Sequence, residues 1–555
     1  MKKKLLNDID PAFVEEIKQI KTLKEIIEYG TKKGGDKRQF IFLDADKNVD
    51  ERSFNQTWDE ITALGTFYYL HGLDSKKKIA IIAENSYEWI ISYYATLIGG
   101  NIVLPMDIKL SDAEIVSQLV RGGCDAMVYC DETAHFVEAV KADPQNPVRE
   151  FYNVSDFPAY KDEGRAAIRS GDTRCIDAKV EPDDLACIVY TSGTTGLSKG
   201  VMLSHFNVTS DVTASCSVQK GEHAIGFLPL NHTFCWVGAL FSGYLLAEWG
   251  YICDGVKDLQ KDMKTYKPQN FSAVPLVVTN IYDRIWRTAK KTGQTEKLQK
   301  GLKISKFLYS HGIDARRKIF KKIIDNLGGE LEFIICGGAN LDPKYEQGMN
   351  DFGIQIINGY GMTECSPAIT VNLRDHVRFG SVGQALPCNK IKVMYPDEFG
   401  IGEIFVQGTN VMQGYYNDPE ATAEAFEDAE DGRWLRTGDY GRMDEDGYLY
   451  FVGRKKNLIV LTNGKNVSPE EIEDKLICID YVTEVLVYQE NDKITAEFFL
   501  NTEEYPDCQS HLKEDVHKVN EMLPKFKRVT NIKTRDTEFP KTTTMKIIRN
   551  REMYS

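Results

Sequence analysis

The sequence lacks any cysteine pair at C-x-x-C spacing and any histidine pair at H-x-x-x-H spacing; its twelve cysteines and nine histidines are scattered singly. Isolated thiols point to a reducing, cytoplasmic setting, and no metal cage made of protein ligands is expected. It also lacks an unbroken apolar run long enough to cross a bilayer. Its most apolar stretch, residues 89–106, is broken by Ser92, Thr96, Gly99, Gly100, Asn101 and Pro105, and reads as a buried helix followed by a strand at 102–104. The basic opening Met1-Lys2-Lys3-Lys4 meets Asn7-Asp8-Ile9-Asp10 before the apolar core of a signal peptide can form, so it reads as a solvated start. Positive charge is in deficit as well: 68 Lys and Arg face 82 Asp and Glu, a net charge of −14. That balance argues against nucleic acid as a partner, while local basic clusters still suit a polyanionic small molecule.

What is present is a chain of 555 residues, 42% hydrophobic and 27% charged, with no low-complexity tract. Such a length predicts two or more domains, and the composition is that of a globular protein. Short apolar runs at 78–82 and 102–104 alternate with helical patterns, which predicts an α/β fold of layered sheets with parallel strands. Short strands and turns between 381 and 416 predict a small β-barrel-like subdomain. Near the C-terminus, Ser468 caps a helix beginning at Pro469, and alternation at 485–487 and 494–498 predicts paired strands, giving a small α+β unit.

The stretch that organises the rest is 190–200, YTSGTTGLSKG. A buried strand at 185–189 precedes it. Gly193, Gly196 and Gly200 allow a concave nest of backbone N–H groups, Thr191, Ser192, Thr194, Thr195 and Ser198 add hydroxyl donors, and Lys199 adds a flexible charge. A nucleotide polyphosphate fits that chemistry, and a polar surface turn is the plainer reading. A Walker A loop is excluded, because Lys199 is followed by Gly200 and then by a strand instead of a helix N-terminus. Further on, residues 334–339, IICGGA, run a strand into two glycines, a pattern that admits a flat ligand or forms a tight turn. Residues 356–364, IINGYGMTE, place Tyr360 between Gly359 and Gly361, where its ring can stack on a purine, and end on Glu364, an oxygen ligand for a hard cation. Asp439 follows Gly438 on an expected loop, where its two oxygens suit a pair of hydroxyls or a turn cap.

Residues 190–200 resemble the phosphate loop of the AMP-forming acyl-CoA synthetases, the superfamily that also holds nonribosomal-peptide adenylation domains and beetle luciferases. The later motifs recur in the family's order and cover roughly residues 40 to 550. The resemblance implies that Thr191, Ser192, Gly193, Thr194, Thr195, Gly196 and Lys199 hold the phosphates of ATP. It implies that Gly337, Gly338, Ala339, Asn358, Gly359, Tyr360 and Gly361 enclose adenine, that Thr363 contacts the α-phosphate, and that Glu364 with Thr191 binds Mg2+. Asp439 then takes the ribose hydroxyls and Arg454 the nucleotide.

The resemblance also implies a carboxylate pocket at His232, an acyl gate at Trp236, and a domain pivot at Lys456. Gly464 falls on the loop lining the CoA tunnel, and Lys546 bridges substrate carboxylate and α-phosphate. Residues 1–453 form the large AMP- and acyl-binding domain on this reading, 454–456 the hinge, and 457–555 a mobile C-terminal domain. Three positions depart from the family pattern: Ser198 replaces a common Pro, Met545 a Gly, and Asn457 an acidic residue.

The implied reaction is a two-step ligation. A carboxylic acid reacts with Mg·ATP to give acyl-AMP and pyrophosphate, and the acyl group passes to CoA with release of AMP. The apolar segments 227–240 and 271–285 favour a medium- or long-chain fatty acid, and no Asp stands near His232 to pair with an amino-acid ammonium. A ligase loading an acyl-carrier protein and an inactive nucleotide-binding scaffold are the alternatives. A membrane surface touched peripherally and a second copy in a homodimer complete the candidate partners.

Overall fold

The computed structural model describes residues 9–44, 47–191, 198–235, 240–253, 258–461, 466–491, 493–541 and 547–549. Among them, two large sheets form the body of the protein. One has seven strands, centred on Leu185–Thr191, Ile102–Pro105 and Lys78–Ile82, which run parallel. Ile79 to Ile82 and Val103 to Leu104 are buried completely, as strands must be when both faces are covered by helices. The other sheet has nine strands, with a parallel centre that includes His223–Gly226, Asn270–Ala273, Phe333–Cys336 and Gln355–Gly361.

The apolar stretch at 89–106 becomes the helix Tyr87–Ile98 followed by the strand Ile102–Pro105. Trp89, Tyr93 and Tyr94 are all fully buried, so this helix is apolar around its whole circumference because it lies inside the body. Among the described residues no helix is long and apolar enough to cross a membrane.

Five antiparallel strands, Asn389–Met394, Gly402–Gly408, Phe426–Ala429, Gly432–Met443 and Leu449–Arg454, make the small β unit. Asp439 belongs to the strand Gly432–Met443, not to a loop. The physical reason is a bulge: Glu403 pairs with Tyr440 and Phe405 with Arg436, so residues 437–439 lie opposite Ile404 alone. Gly438 takes φ +68° there, and the Thr437 hydroxyl donates to the Ile404 carbonyl at 2.7 Å, so Asp439 lies off the pairing with Gly402–Gly408 and pairs with Arg454 on the other side.

The last unit has strands Val482–Glu490, Lys493–Leu500 and Asn531–Arg535, with helices Pro469–Leu476 and Cys508–Glu521. Ser468 caps the first helix and also donates to the Val452 carbonyl at 2.8 Å, which ties this unit to the last strand of the β unit.

Candidate active site

The phosphate-loop segment joins two antiparallel strands, Leu185–Thr191 and Lys199–Ser204, with Thr191 opposite Lys199 and Tyr190 opposite Gly200. Lys199 opens a strand and not a helix, so the charge it offers is that of its own ammonium and not of a helix dipole. Lys199 stands with its ammonium 4.9 Å from the Tyr415 ring centroid. The Tyr415 hydroxyl in turn donates to Glu364 Oε1 at 2.9 Å. Glu364 lies in the short turn Thr363–Cys365 and is nearly buried, so one carboxylate oxygen is held while its position is fixed. Burial, and then the Glu364 charge, push the Tyr415 phenol far up, which keeps it a donor.

Thr191, Lys199, Thr363 and Glu364 are thereby brought to one place. Their donor set, a carboxylate and hydroxyls without sulfur or imidazole, matches the oxygen preference of Mg2+. Ser192, Gly193, Thr194, Thr195 and Gly196 lie outside the described residues, as do Trp236, Gly464, Met545 and Lys546.

A second cluster gathers around Asp439. Tyr360 donates its hydroxyl to Asp439 Oδ2 at 2.8 Å, and Arg454 Nε stands 3.5 Å from Asp439 Oδ1. Burial, reinforced by the Asp439 charge, raises the Tyr360 phenol well above its ordinary range. Asn358, Gly359, Tyr360 and Gly361 all lie in the strand Gln355–Gly361. A side chain on Gly361 would sit 2.0 Å from the Pro367 carbonyl, so only glycine fits at this end of the strand. The Asn358 amide donates to Glu346 Oε1 at 2.8 Å beneath the strand.

Gly337, Gly338 and Ala339 follow the neighbouring strand Phe333–Cys336. The Phe234 ring lies against Gly337, which brings the His232 segment beside the glycine pair. His232 closes a turn onto Pro229, its N–H donating to that carbonyl at 3.2 Å. Close by is a cavity of about 50 Å3, lined chiefly by apolar side chains that include Phe40, Ile90, Leu230, Cys235, Leu240 and Tyr251.

Arg454 ends the strand Leu449–Arg454, and the turn Lys455–Asn457 follows. Burial first, then the positive charges of Arg454 and Lys199, depress the Lys456 ammonium, while Asp439 and Glu364 oppose the shift. Lys456 therefore sits within electrostatic reach of both clusters. Asn457 donates to Glu470 Oε1 at 2.7 Å, so the neutral residue found here keeps a link to the C-terminal unit.

Sequence reasoning missed three contributors: Tyr415, which holds Glu364; Glu346, which holds Asn358; and Arg121, which binds Ser198 through Nη1 and Nη2 at 2.6 and 2.9 Å. None carries a local motif. Tyr415 and Glu364 are 51 positions apart, and Arg121 and Ser198 are 77 apart.

Comparison with known proteins follows the same outline. A family model described as AMP-binding enzyme matches residues 28–416, and one described as AMP-binding enzyme C-terminal domain matches 456–554. A long-chain-fatty-acid–CoA ligase 1 of Cavia porcellus is 28% identical, over 91% of this chain and 76% of its own length. The long-chain-fatty-acid–CoA ligase FadD15 of Mycobacterium tuberculosis is 26% identical, over 80% of this chain and 78% of its own. Among solved structures, an anthranilate CoA ligase in complex with anthranoyl-AMP aligns with TM-score 0.78 over 96% of each chain at 19% identity, a likeness of fold.

Proposed function

The chain belongs to the AMP-binding enzyme family and is an AMP-forming acid–thiol ligase that uses ATP, Mg2+ and CoA; from that premise we propose that its acid is a medium- or long-chain fatty acid and that free CoA is the acceptor. The observation that carries the substrate is the match of nearly the whole chain to relatives named as long-chain-fatty-acid–CoA ligases. The apolar cavity beside the His232 segment supports it, since Phe40, Ile90, Leu230 and Leu240 offer an aliphatic chain a dry wall, and burial pushes Glu248, the carboxylate in that lining, up to about 8.

In the first step a carboxylate oxygen of the fatty acid attacks the α-phosphorus of ATP, and the bond to pyrophosphate breaks. Thr191, Ser192, Gly193, Thr194, Thr195, Gly196 and Lys199 hold the departing pyrophosphate. Gly337, Gly338, Ala339 and Tyr360 enclose adenine, Thr363 meets the α-phosphate, and Asp439 with Arg454 takes the ribose and orients it. Glu364 and Thr191 would hold Mg2+, which would supply neutralisation of the phosphate charge. Lys546 bridges the carboxylate and the transferring phosphoryl group, with His232 at the carboxylate pocket and Trp236 gating the acyl tunnel.

Residues 1–453 and 457–555 act as two bodies joined at 454–456. Rotation about Lys456 withdraws Lys546 and presents Gly464, so that the CoA thiolate attacks the acyl carbonyl carbon and AMP leaves. The end of strand pairing at Arg454 and the start of the C-terminal family match at 456 support that division.

The test is pyrophosphate release by the purified protein with acetate, octanoate, palmitate, benzoate and amino acids, each with and without CoA. Sustained turnover with octanoate or palmitate only when CoA is present is expected. Release of about one equivalent that CoA does not accelerate would replace CoA by a carrier protein as acceptor.

A further inference from the structure

The helices after Pro275 form an outer layer on the body, and the segment between Arg284 and Lys322 has a charge unlike the rest of the chain. It holds thirteen Lys and Arg against two acids, Glu296 and Asp314, a net +11 in a chain whose total is −14. Within it, the helix Thr295–Ser310 buries Ser305 and turns another face outward.

At 100° per residue that outward stripe carries Lys297, Lys300, Lys303, Ile304 and Phe307 together. Ile304 is 56% exposed and Phe307 63%, and Ile313 in the following turn is 55% exposed. Lys306, on the flank, pairs with Asp351 at 2.9 Å, whereas among the described residues no carboxylate pairs with Lys297, Lys300 or Lys303.

A ligand for this face has to accept bulky apolar side chains and neutralise several cations over the same area. A second copy of the chain packed two-fold on the same patch would set lysines against lysines. Nucleic acid would neutralise the lysines and leave Ile304, Phe307 and Ile313 in water. We propose that the face of Thr295–Ser310, continued by Ile313, is a docking surface for an anionic lipid bilayer. Ile304, Phe307 and Ile313 enter the boundary of headgroups and acyl chains, while the lysine stems lie along the interface and bring their ammonium groups to lipid phosphates. The surface is independent of which acid the active site takes.

Cosedimentation of the full-length protein with vesicles tests it. One set is phosphatidylcholine alone and the other contains about one-quarter phosphatidylglycerol, each in low salt and in about 0.5 M salt. The variants are the double substitution Ile304→Ser/Phe307→Ser and the triple substitution Lys297→Gln/Lys300→Gln/Lys303→Gln. All five positions are exposed, and an unchanged melting temperature certifies the fold. The expected result is binding to anionic vesicles that falls at least tenfold in either variant, in the salt and on neutral vesicles. Failure of the wild-type protein to bind anionic vesicles at low salt overturns the proposal, as does wild-type binding by either variant. A concentration-dependent dimer that Phe307→Ser abolishes also overturns it, since a second copy would then cover the face.

Discussion

Arg121 grips Ser198 twice, donating from Nη1 to the carbonyl at 2.6 Å and from Nη2 to the hydroxyl at 2.9 Å, while its guanidinium sits 5.2 Å from the Tyr190 ring centroid. Residues 190 and 198 flank the phosphate loop, so one planar cation closes the neck of that loop. Gln118 adds a bond to the same hydroxyl at 3.2 Å. A proline at 198 would keep the carbonyl and lose the hydroxyl.

Arg121→Ala is therefore expected to lower kcat/KM for ATP by roughly 10- to 100-fold, the worth of about 1.5–3 kcal/mol in charge-assisted bonds. AMP has no β- or γ-phosphate, so its binding should change little. Titration of both nucleotides into the variant checks this, and an equal loss for AMP would assign Arg121 to general folding.

Tyr415 fixes one oxygen of the carboxylate proposed to hold Mg2+. Tyr415→Phe removes that donor while keeping the ring beneath Lys199. Partners that orient a metal ligand are worth about 10- to 100-fold in metal affinity, so the Mg2+ concentration giving half-maximal turnover should rise by that factor. Turnover at saturating Mg2+ should stay within a few-fold. A variant with a lower melting temperature and an unmoved Mg2+ midpoint would leave Tyr415 a packing role only.

Much of this site could be read from sequence because its parts are local. The strand at 185–191, the glycines at 337 and 338 and the helix cap at Ser468 follow from residues within a few positions of one another. In the sequence alone, Gly438 makes Asp439 look like a loop residue. The bulge that holds it exists only once the strand Gly402–Gly408 is laid alongside. Arg121 looks like an ordinary basic residue in the last turn of an amphipathic helix, where its charge suits the helix dipole. Only the sheet brings it to Ser198. Pairings of this kind are tertiary, and no period or spacing records them.

Glu346 has no solvent exposure, and burial pushes its carboxyl up to about 7 against the opposing bonds from the Gly380 N–H and the Asn358 amide. In the unfolded chain the same group titrates near 4.5. Between those values the native protein holds the extra proton, so this group's contribution to stability is full below about 4.5 and is lost as pH rises through about 7. The loss is on the order of 3 kcal/mol. Glu346→Gln cannot titrate, so its denaturant midpoint should fall less between pH 5 and pH 7.5 than the wild-type midpoint does. Parallel pH curves for the two proteins would show that the carboxyl stays ionised in the native state.

Lys546 belongs to the segment 542–546, whose two stems are tied to the C-terminal unit. Lys541 pairs with Ile547 across a β-bridge, its ammonium binds Glu484 and stands 2.7 Å from Glu538, and Arg549 binds Glu473. Any rotation of the unit therefore carries the lysine with it. Lys546→Ala is expected to reduce acyl-AMP formation by about 10²- to 10³-fold, the range for losing one group that stabilises developing charge. Conversion of supplied acyl-AMP and CoA to acyl-CoA should persist, because the proposed rotation withdraws the lysine before that half-reaction. Glu484→Gln loosens one stem and should cause a smaller fall in the same first step. Rapid-quench measurement of each half-reaction separates the cases, and equal loss of both in Lys546→Ala would remove the lysine from adenylation and the rotation from the mechanism.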